Sequence, residues 1–181
     1  MEKVITVKDR QFELFIKQRD IEDNIKRIAA QINADLDGKN PIFVAVLNGA
    51  FMFAGELMKE VTIPSEITFV RLASYIGTQT THHVEEVMGL NQSIKGRTVV
   101  IVEDIVDTGN TLIALTKMLY ERQPKEVKIA TLLLKPDALQ HPVTLDYVAL
   151  EIPGDFILGY GLDYDGYGRN LKDIYKICTE R

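Results

Sequence analysis

Cysteine is nearly absent. Cys178 stands alone in 181 residues, so no disulfide can form within the chain. This fits a reducing compartment and leaves Cys178 as a bystander. Excess positive charge is absent as well. With 21 basic against 26 acidic residues and a net charge of -5, no global attraction draws the chain to nucleic acid or anionic lipid, and neither is expected as a partner. The opening stretch, MEKVITVKDR, lacks the apolar run of a signal peptide, and no window approaches the length of a membrane span. A cytoplasmic protein is the expectation. Internal repeats, low-complexity tracts and interdomain linkers are also missing, and the length suits one domain over residues 1–181.

What is present is an alternation of two periodicities. Apolar residues at Ile21, Ile25, Ile28, Ala29, Ile32 and Leu36 have helical spacing, which predicts an amphipathic helix over 19–36, closed by DGKNP. IFVAVL at 42–47 is short and continuously apolar, as in a strand buried on both faces. Further helices are expected over 50–59 and 111–122, and strands over 67–72, 98–102, 127–134, 147–150 and 156–159. Residues 74–96 are polar with little periodicity and read as a long loop of the kind that forms lids. Strands alternating with helices argue for an α/β fold, a parallel sheet flanked by helices on both faces. In such sheets ligands bind beyond the carboxyl ends of the strands.

One strand end stands out. In VVIVEDIVDTGNT, residues 99–111, a β-branched run meets Glu103 and Asp104, then Asp107, then a small polar turn. Two carboxylates where a strand stops can bend into one crevice, where they accept hydrogen bonds from vicinal hydroxyls and favour a divalent cation. Gly109 permits an unusual backbone turn, and Thr108, Asn110 and Thr111 supply short donors. The unpaired amides and positive dipole end of the following helix suit a phosphate. Together these describe the two ends of a ribose 5′-phosphate. Read without a ligand, the same residues make a capped helix after an ordinary strand, with Asp107 or Thr108 as the cap. A P-loop is excluded by the missing lysine-serine/threonine pair, and a dinucleotide fingerprint by the missing glycines.

VVIVEDIVDTGNT closely resembles the phosphoribosyl pyrophosphate signature of the type I phosphoribosyltransferases, in particular their hypoxanthine-guanine branch, and the likeness runs along nearly the whole chain. It implies a twisted parallel sheet with a small hood built from the chain ends and a mobile lid at about 74–96. It implies that Glu103 and Asp104 hold the ribose hydroxyls with Mg2+, that residues 107–111 wrap the 5′-phosphate, and that Asp107 is the general base. LNGA at 47–50 would be the pyrophosphate loop, through Asn48 and Gly49, often with a cis Leu47–Asn48 peptide; some relatives carry lysine where this chain has Asn48.

The same resemblance assigns Lys135, Phe156, Ile157 and Asp163 to the purine end. Lys135 would donate to the exocyclic oxygen of a 6-oxopurine, Phe156 would stack on the ring, and Asp163 would also meet a second magnesium. Arg169 would fork onto pyrophosphate, and Ser74 with Tyr75 would open the lid. Taken alone, Lys135 reads as a solvated strand end, and the glycines among the tyrosines of 156–170 as a surface loop. Ile76 replaces the lid's usual glycine. His82 and His83 lack a third ligand for a metal and read as solvent-facing. The implied activity transfers a 5-phosphoribosyl group from phosphoribosyl pyrophosphate to hypoxanthine and guanine, giving IMP or GMP and pyrophosphate, in a homodimer or homotetramer.

Overall fold

The computed structural model describes residues 4–74 and 84–178. Among the described residues ten strands form two sheets: β1 (Val4–Val7), β2 (Arg10–Ile16), β3 (Ile42–Leu47), β4 (Glu66–Ser74), β5 (Val84–Met88), β6 (Thr98–Val106), β7 (Glu126–Leu134), β8 (Tyr147–Glu151), β9 (Ile157–Leu158) and β10 (Ile174–Ile177). Three α-helices accompany them: α1 (Gln18–Asp35), α2 (Phe51–Glu60) and α3 (Asn110–Glu121). The larger sheet has the order β5-β4-β3-β6-β7-β8. Its neighbours from β4 to β8 are parallel, and β5 adds an antiparallel edge.

The alternating burial of the strands explains the two helical layers. Phe43 and Ala45 of β3, with Val100 and Val102 of β6, pack in one cluster with Ile21, Ile25, Ile28 and Ile32 of α1 and Phe53 and Leu57 of α2. Ile42, Val44 and Val46, with Val99 and Ile101, point the other way, toward Leu112, Leu115 and Leu119 of α3. Each strand therefore needs apolar residues at every position, which is why IFVAVL shows no polar alternation.

The hood implied by the resemblance is the smaller sheet, β1-β2-β10-β9, with antiparallel pairings that join the two ends of the chain. Phe12, Leu158 and Tyr175 form its own small core. Neither β1, β2 nor β10 was expected from periodicity. They are short and half-exposed, and their alternation is too brief to separate from a polar terminus.

Two expectations need correction. The segment 74–96 is not structureless throughout. β4 runs on to Ser74, and β5 pairs with it as Val84–Met88, with a register irregularity between Arg71 and Leu72. Glu85 and Glu86 made this strand look like loop because an edge strand tolerates charge. Residues 75–83 lie outside the described residues, and with them Tyr75, Ile76, His82 and His83. The second correction concerns β6, which continues through Glu103 and Asp104 to Val106 instead of stopping at Val102.

Two substitutions test this packing. Ile28→Ala removes a fully buried α1 side chain and is expected to cost about 2–5 kcal/mol in urea unfolding. Gly55 lies inside α2 with nothing within 4 Å of where a Cβ would sit. Gly55→Ala is expected to raise stability by up to about 1 kcal/mol in the same measurement.

Candidate active site at the strand ends

The continuation of β6 matters because of what happens to its faces. β3 pairs with β6 only as far as Ala45 opposite Val102. Beyond that point β6 is held by β7 alone, with Glu103 opposite Thr131 and Ile105 opposite Leu133, while Asp104 has no partner in the register. The alternation reverses across this gap. Val100 and Val102 face α1 and α2, and so does Ile105; Val99 and Ile101 face α3, and so does Val106. β7 reverses in step, since Leu132 and Leu133 both join the α1/α2 cluster and Leu134 joins the other. The buried Thr131 hydroxyl donates to the Leu133 carbonyl at 2.9 Å within this irregularity. Glu103 and Asp104 straddle the reversal, which lets neighbouring carboxyls of one strand meet.

They do meet. The two carboxyls lie close enough to interact directly, and both residues are under a tenth exposed. Burial lifts Glu103 well above the ordinary carboxylate range, and the adjacent Asp104 carboxyl adds to this. Burial also raises Asp104, against the Glu103 side chain, the Ile105 N–H and the charge of Arg169. The Ile105 N–H donates to Asp104 Oδ1 at 2.9 Å. Glu103 Oε2 is buried with no hydrogen-bond partner. A buried acid pair with an orphaned oxygen is chemically suited to a hard divalent cation.

The loop after β3 closes one side of this pair. Its Leu47–Asn48 peptide is cis. A Cβ on Gly49 would overlap the Asp104 carboxylate, and one on Gly161 would strike the Gly49 carbonyl oxygen. Gly161 also has φ 101°, a conformation other residues resist. Its carbonyl accepts from Arg169 Nη1 at 2.7 Å, and Arg169 Nη2 pairs with Asp163 Oδ1 at 2.7 Å. Asp163 Oδ2 accepts the Gly166 N–H at 2.6 Å. Asp104, Gly49, Gly161, Arg169 and Asp163 thus form a continuous chain of contacts. The guanidinium fork expected to reach for a ligand is already engaged by the protein's own oxygens. Gly161 is one of the glycines that by residue type alone read as a surface loop; it is buried and packs on Gly49 instead.

Asp107 follows β6 directly. Its Oδ2 lies 3.3 Å from Lys135 Nζ, at the adjoining end of β7. Lys135 is buried, not the solvated strand end that its type alone suggests, while Asp107 is half exposed. The Lys135 N–H donates to the Val106 carbonyl at 2.9 Å. Gly109, at φ 86°, stands at the N-terminus of α3, where no side chain caps the helix; only a long 3.4 Å contact joins the Asn110 N–H to Thr108 Oγ1. Asn110 and Thr111 are exposed. The capped-helix reading of DTGNT therefore has little support, and the amides remain open to an anion.

Phe156 is 46% exposed just before β9, while Ile157 is buried within it. Asn48 is exposed. Ser74 ends β4. Among the described residues no helix is long and apolar enough to cross a membrane.

The comparisons with known proteins agree with this architecture. The phosphoribosyl transferase domain family matches residues 15–165. The chain is 41% identical over 162 residues, covering 89% of it and 90% of the relative, to a hypoxanthine-guanine phosphoribosyltransferase of Streptococcus pneumoniae. It is 37% identical over 178 residues, 96% and 99% of the two chains, to a hypoxanthine phosphoribosyltransferase of Haemophilus influenzae. Among solved structures, a Staphylococcus aureus hypoxanthine phosphoribosyltransferase superposes with TM-score 0.87 at 36% identity over 92% and 91% of the chains. A Trypanosoma cruzi hypoxanthine phosphoribosyl transferase gives TM-score 0.87 at 33% identity over 96% and 95%.

The packing of Gly161 on Gly49 yields a direct test. Gly161→Ala is expected to lose about 1–3 kcal/mol in thermal unfolding, the cost typical of forcing a methyl group into closed space. A melting curve unchanged from wild type would mean the two loops do not touch.

Proposed function

We propose that this chain, which belongs to the phosphoribosyltransferase family, transfers the 5-phosphoribosyl group of phosphoribosyl pyrophosphate to hypoxanthine and guanine, releasing pyrophosphate. The observation that carries the choice of base is the Lys135–Asp107 pair, 3.3 Å apart at neighbouring strand ends. An ammonium offers only donors, so Lys135 suits the exocyclic oxygen of a 6-oxopurine and opposes adenine's amino group. The carboxylate beside it can accept the proton of a ring nitrogen. The relatives' names point to the same substrate class.

In this reading the open amides and hydroxyls of residues 107–111 take the 5′-phosphate, and Glu103 and Asp104 take the ribose hydroxyls. Asn48, Gly49 and Arg169 face the pyrophosphate, with Ser74 and Tyr75 contributing from the lid. As the bond from the anomeric carbon to pyrophosphate breaks, positive charge builds on the ribose and negative charge on the departing oxygens. Arg169 and the Gly49 backbone stabilise the latter. The purine ring nitrogen bonds to the anomeric carbon while Asp107 takes up the purine proton. Mg2+ would be held by Glu103 and Asp104, with a second ion near Asp163, and supplies charge neutralisation of the leaving group when bound. Lid closure would keep water from the reactive sugar. We place the reaction in the cytoplasm, in a single catalytic domain that self-associates as a dimer or tetramer.

Steady-state assays of each purine with phosphoribosyl pyrophosphate and magnesium test this reading. Hypoxanthine and guanine are expected to be used, and adenine to fall behind by roughly 10²-fold or more in kcat/KM, because its exocyclic amino group would meet the Lys135 ammonium donor to donor. Adenine transfer at a comparable rate would refute the assignment. Asp107→Asn is expected to lower kcat by about 10²- to 10⁴-fold with much smaller change in KM. Unaltered turnover would remove Asp107 from the role of base.

A further inference from the structure

The exposed ring of Phe156 does not stand alone. Its centroid lies 6.4 Å from that of Phe12, which is fully buried in β2, and 5.9 Å from that of Tyr164, whose ring meets it nearly edge-on at 82°. Phe12 and Tyr164 also contact each other at 6.0 Å. Phe12 is fixed by the hood core, so Tyr164 is the adjustable member of the group. It is held in turn by its hydroxyl, which donates to Asp9 Oδ1 at 2.9 Å across 155 positions of sequence. Asp9 sits in the turn between β1 and β2, next to Lys8. Lys8 Nζ pairs with Asp165 Oδ2 at 2.9 Å and lies 6.0 and 5.7 Å from the ring centroids of Tyr164 and Tyr167. Tyr164 and Tyr167 close their own small bridge, N–H to carbonyl in both directions at 2.9 and 3.0 Å. The N-terminal turn is thus tied to the loop that begins at Asp163.

We infer that Tyr164, anchored by Asp9, is a positioning residue for the purine: it sets the orientation of the Phe156 ring on which the base stacks. The inference rests on the proposed function and on the stacking role that the family resemblance implies for Phe156. Edge-to-face aromatic contact fixes a ring's tilt, and the near-half exposure of Phe156 leaves part of the ring open to a flat ligand. A hydrogen bond from a phenol to an ionised carboxylate is directional and stronger than a neutral one. The Lys8–Asp165 pair and the Asp9 bond are both exposed, but the Asp9 carboxylate is bonded directly to the Tyr164 hydroxyl while Lys8 bonds Asp165, so the tether is assigned to Asp9. The residues assigned to the 5′-phosphate and ribose belong to the other sheet and its loops, whereas Asp163 and Arg169 share the segment between β9 and β10 with Tyr164. Those two are held by bonds of their own, to the Gly166 N–H, the Gly161 carbonyl and each other, so loosening the Tyr164 tether should affect the purine far more than phosphoribosyl pyrophosphate.

The test measures KM for hypoxanthine and for phosphoribosyl pyrophosphate separately, with melting temperature, in wild type, Y164F, D9A, D9N and the Y164F/D9A double variant. Y164F and D9A are each expected to raise the hypoxanthine KM by roughly three- to ten-fold, the range of a single lost hydrogen bond. The double variant is expected to be no worse than either single one, because both remove the same bond. D9N keeps an oxygen that can accept from the phenol and is expected to stay near wild type. The KM for phosphoribosyl pyrophosphate is expected to stay within about two-fold in all of them, less than the effect of one hydrogen bond. A hypoxanthine KM unchanged in Y164F, additive losses in the double variant, or equal rises in both KM values would overturn the inference while leaving the function intact. A wild-type enzyme inactive on both 6-oxopurines would instead defeat the function, and this inference with it.

Discussion

Two carboxyl groups held together out of water are the constraint around which the rest of the site is arranged. Burying one carboxylate is costly, and burying two beside each other more so, unless a proton or a cation is shared between them. Glu103 and Asp104 are brought to this state by the simultaneous reversal of faces in β6 and β7, where Asp104 drops out of the ladder and Thr131 satisfies a local carbonyl. An ordinary strand would have sent one acid into each hydrophobic cluster. The orphaned Glu103 Oε2 is the part of this arrangement that the protein itself leaves unsatisfied. Unsatisfied buried polar atoms are rare enough that a ligand is the natural complement.

From that pair the site grows outward through close backbone approaches instead of long side chains. Gly49 lies against Asp104 and Gly161 against Gly49, and neither position has room for a Cβ. The Arg169 guanidinium bridges the Gly161 carbonyl and Asp163. Two loops and the end of β6, from distant parts of the chain, are thereby held together around one crevice. Pre-organisation of this sort places donors before a ligand arrives, so little reorganisation accompanies charge development in a reaction. The hood contributes differently. Its short antiparallel strands, drawn from both chain ends, hold Phe12 against Phe156 and Tyr164.

Some of this could be read before any coordinates. The Ile21–Ile32 stripe and the IFVAVL run were sufficient for α1 and β3 because helical and fully buried strand patterns are both strong when long or continuous. Thr98–Val102 likewise announced a strand, and DTGNT a tight turn into α3. β5 escaped because its acidic residues suit an edge, and β1, β2 and β10 because short half-exposed strands carry few apolar residues. Lys135 shows the other kind of limit. Its residue type speaks for solvent, yet it is buried beside Asp107, and only the family resemblance suggested a purine-facing role.

Residue types and their order determined the layered α/β arrangement, the acid cluster at a strand end and the glycine turn before α3, since each follows from local periodicity or backbone sterics. Tertiary structure alone decided that neighbouring acids of one strand meet, that Gly161 packs on Gly49, and that Asp9 reaches Tyr164. These are contacts between segments far apart in sequence or reversals of an expected alternation. No local pattern encodes them, because their energies depend on which surfaces the rest of the fold has already brought together.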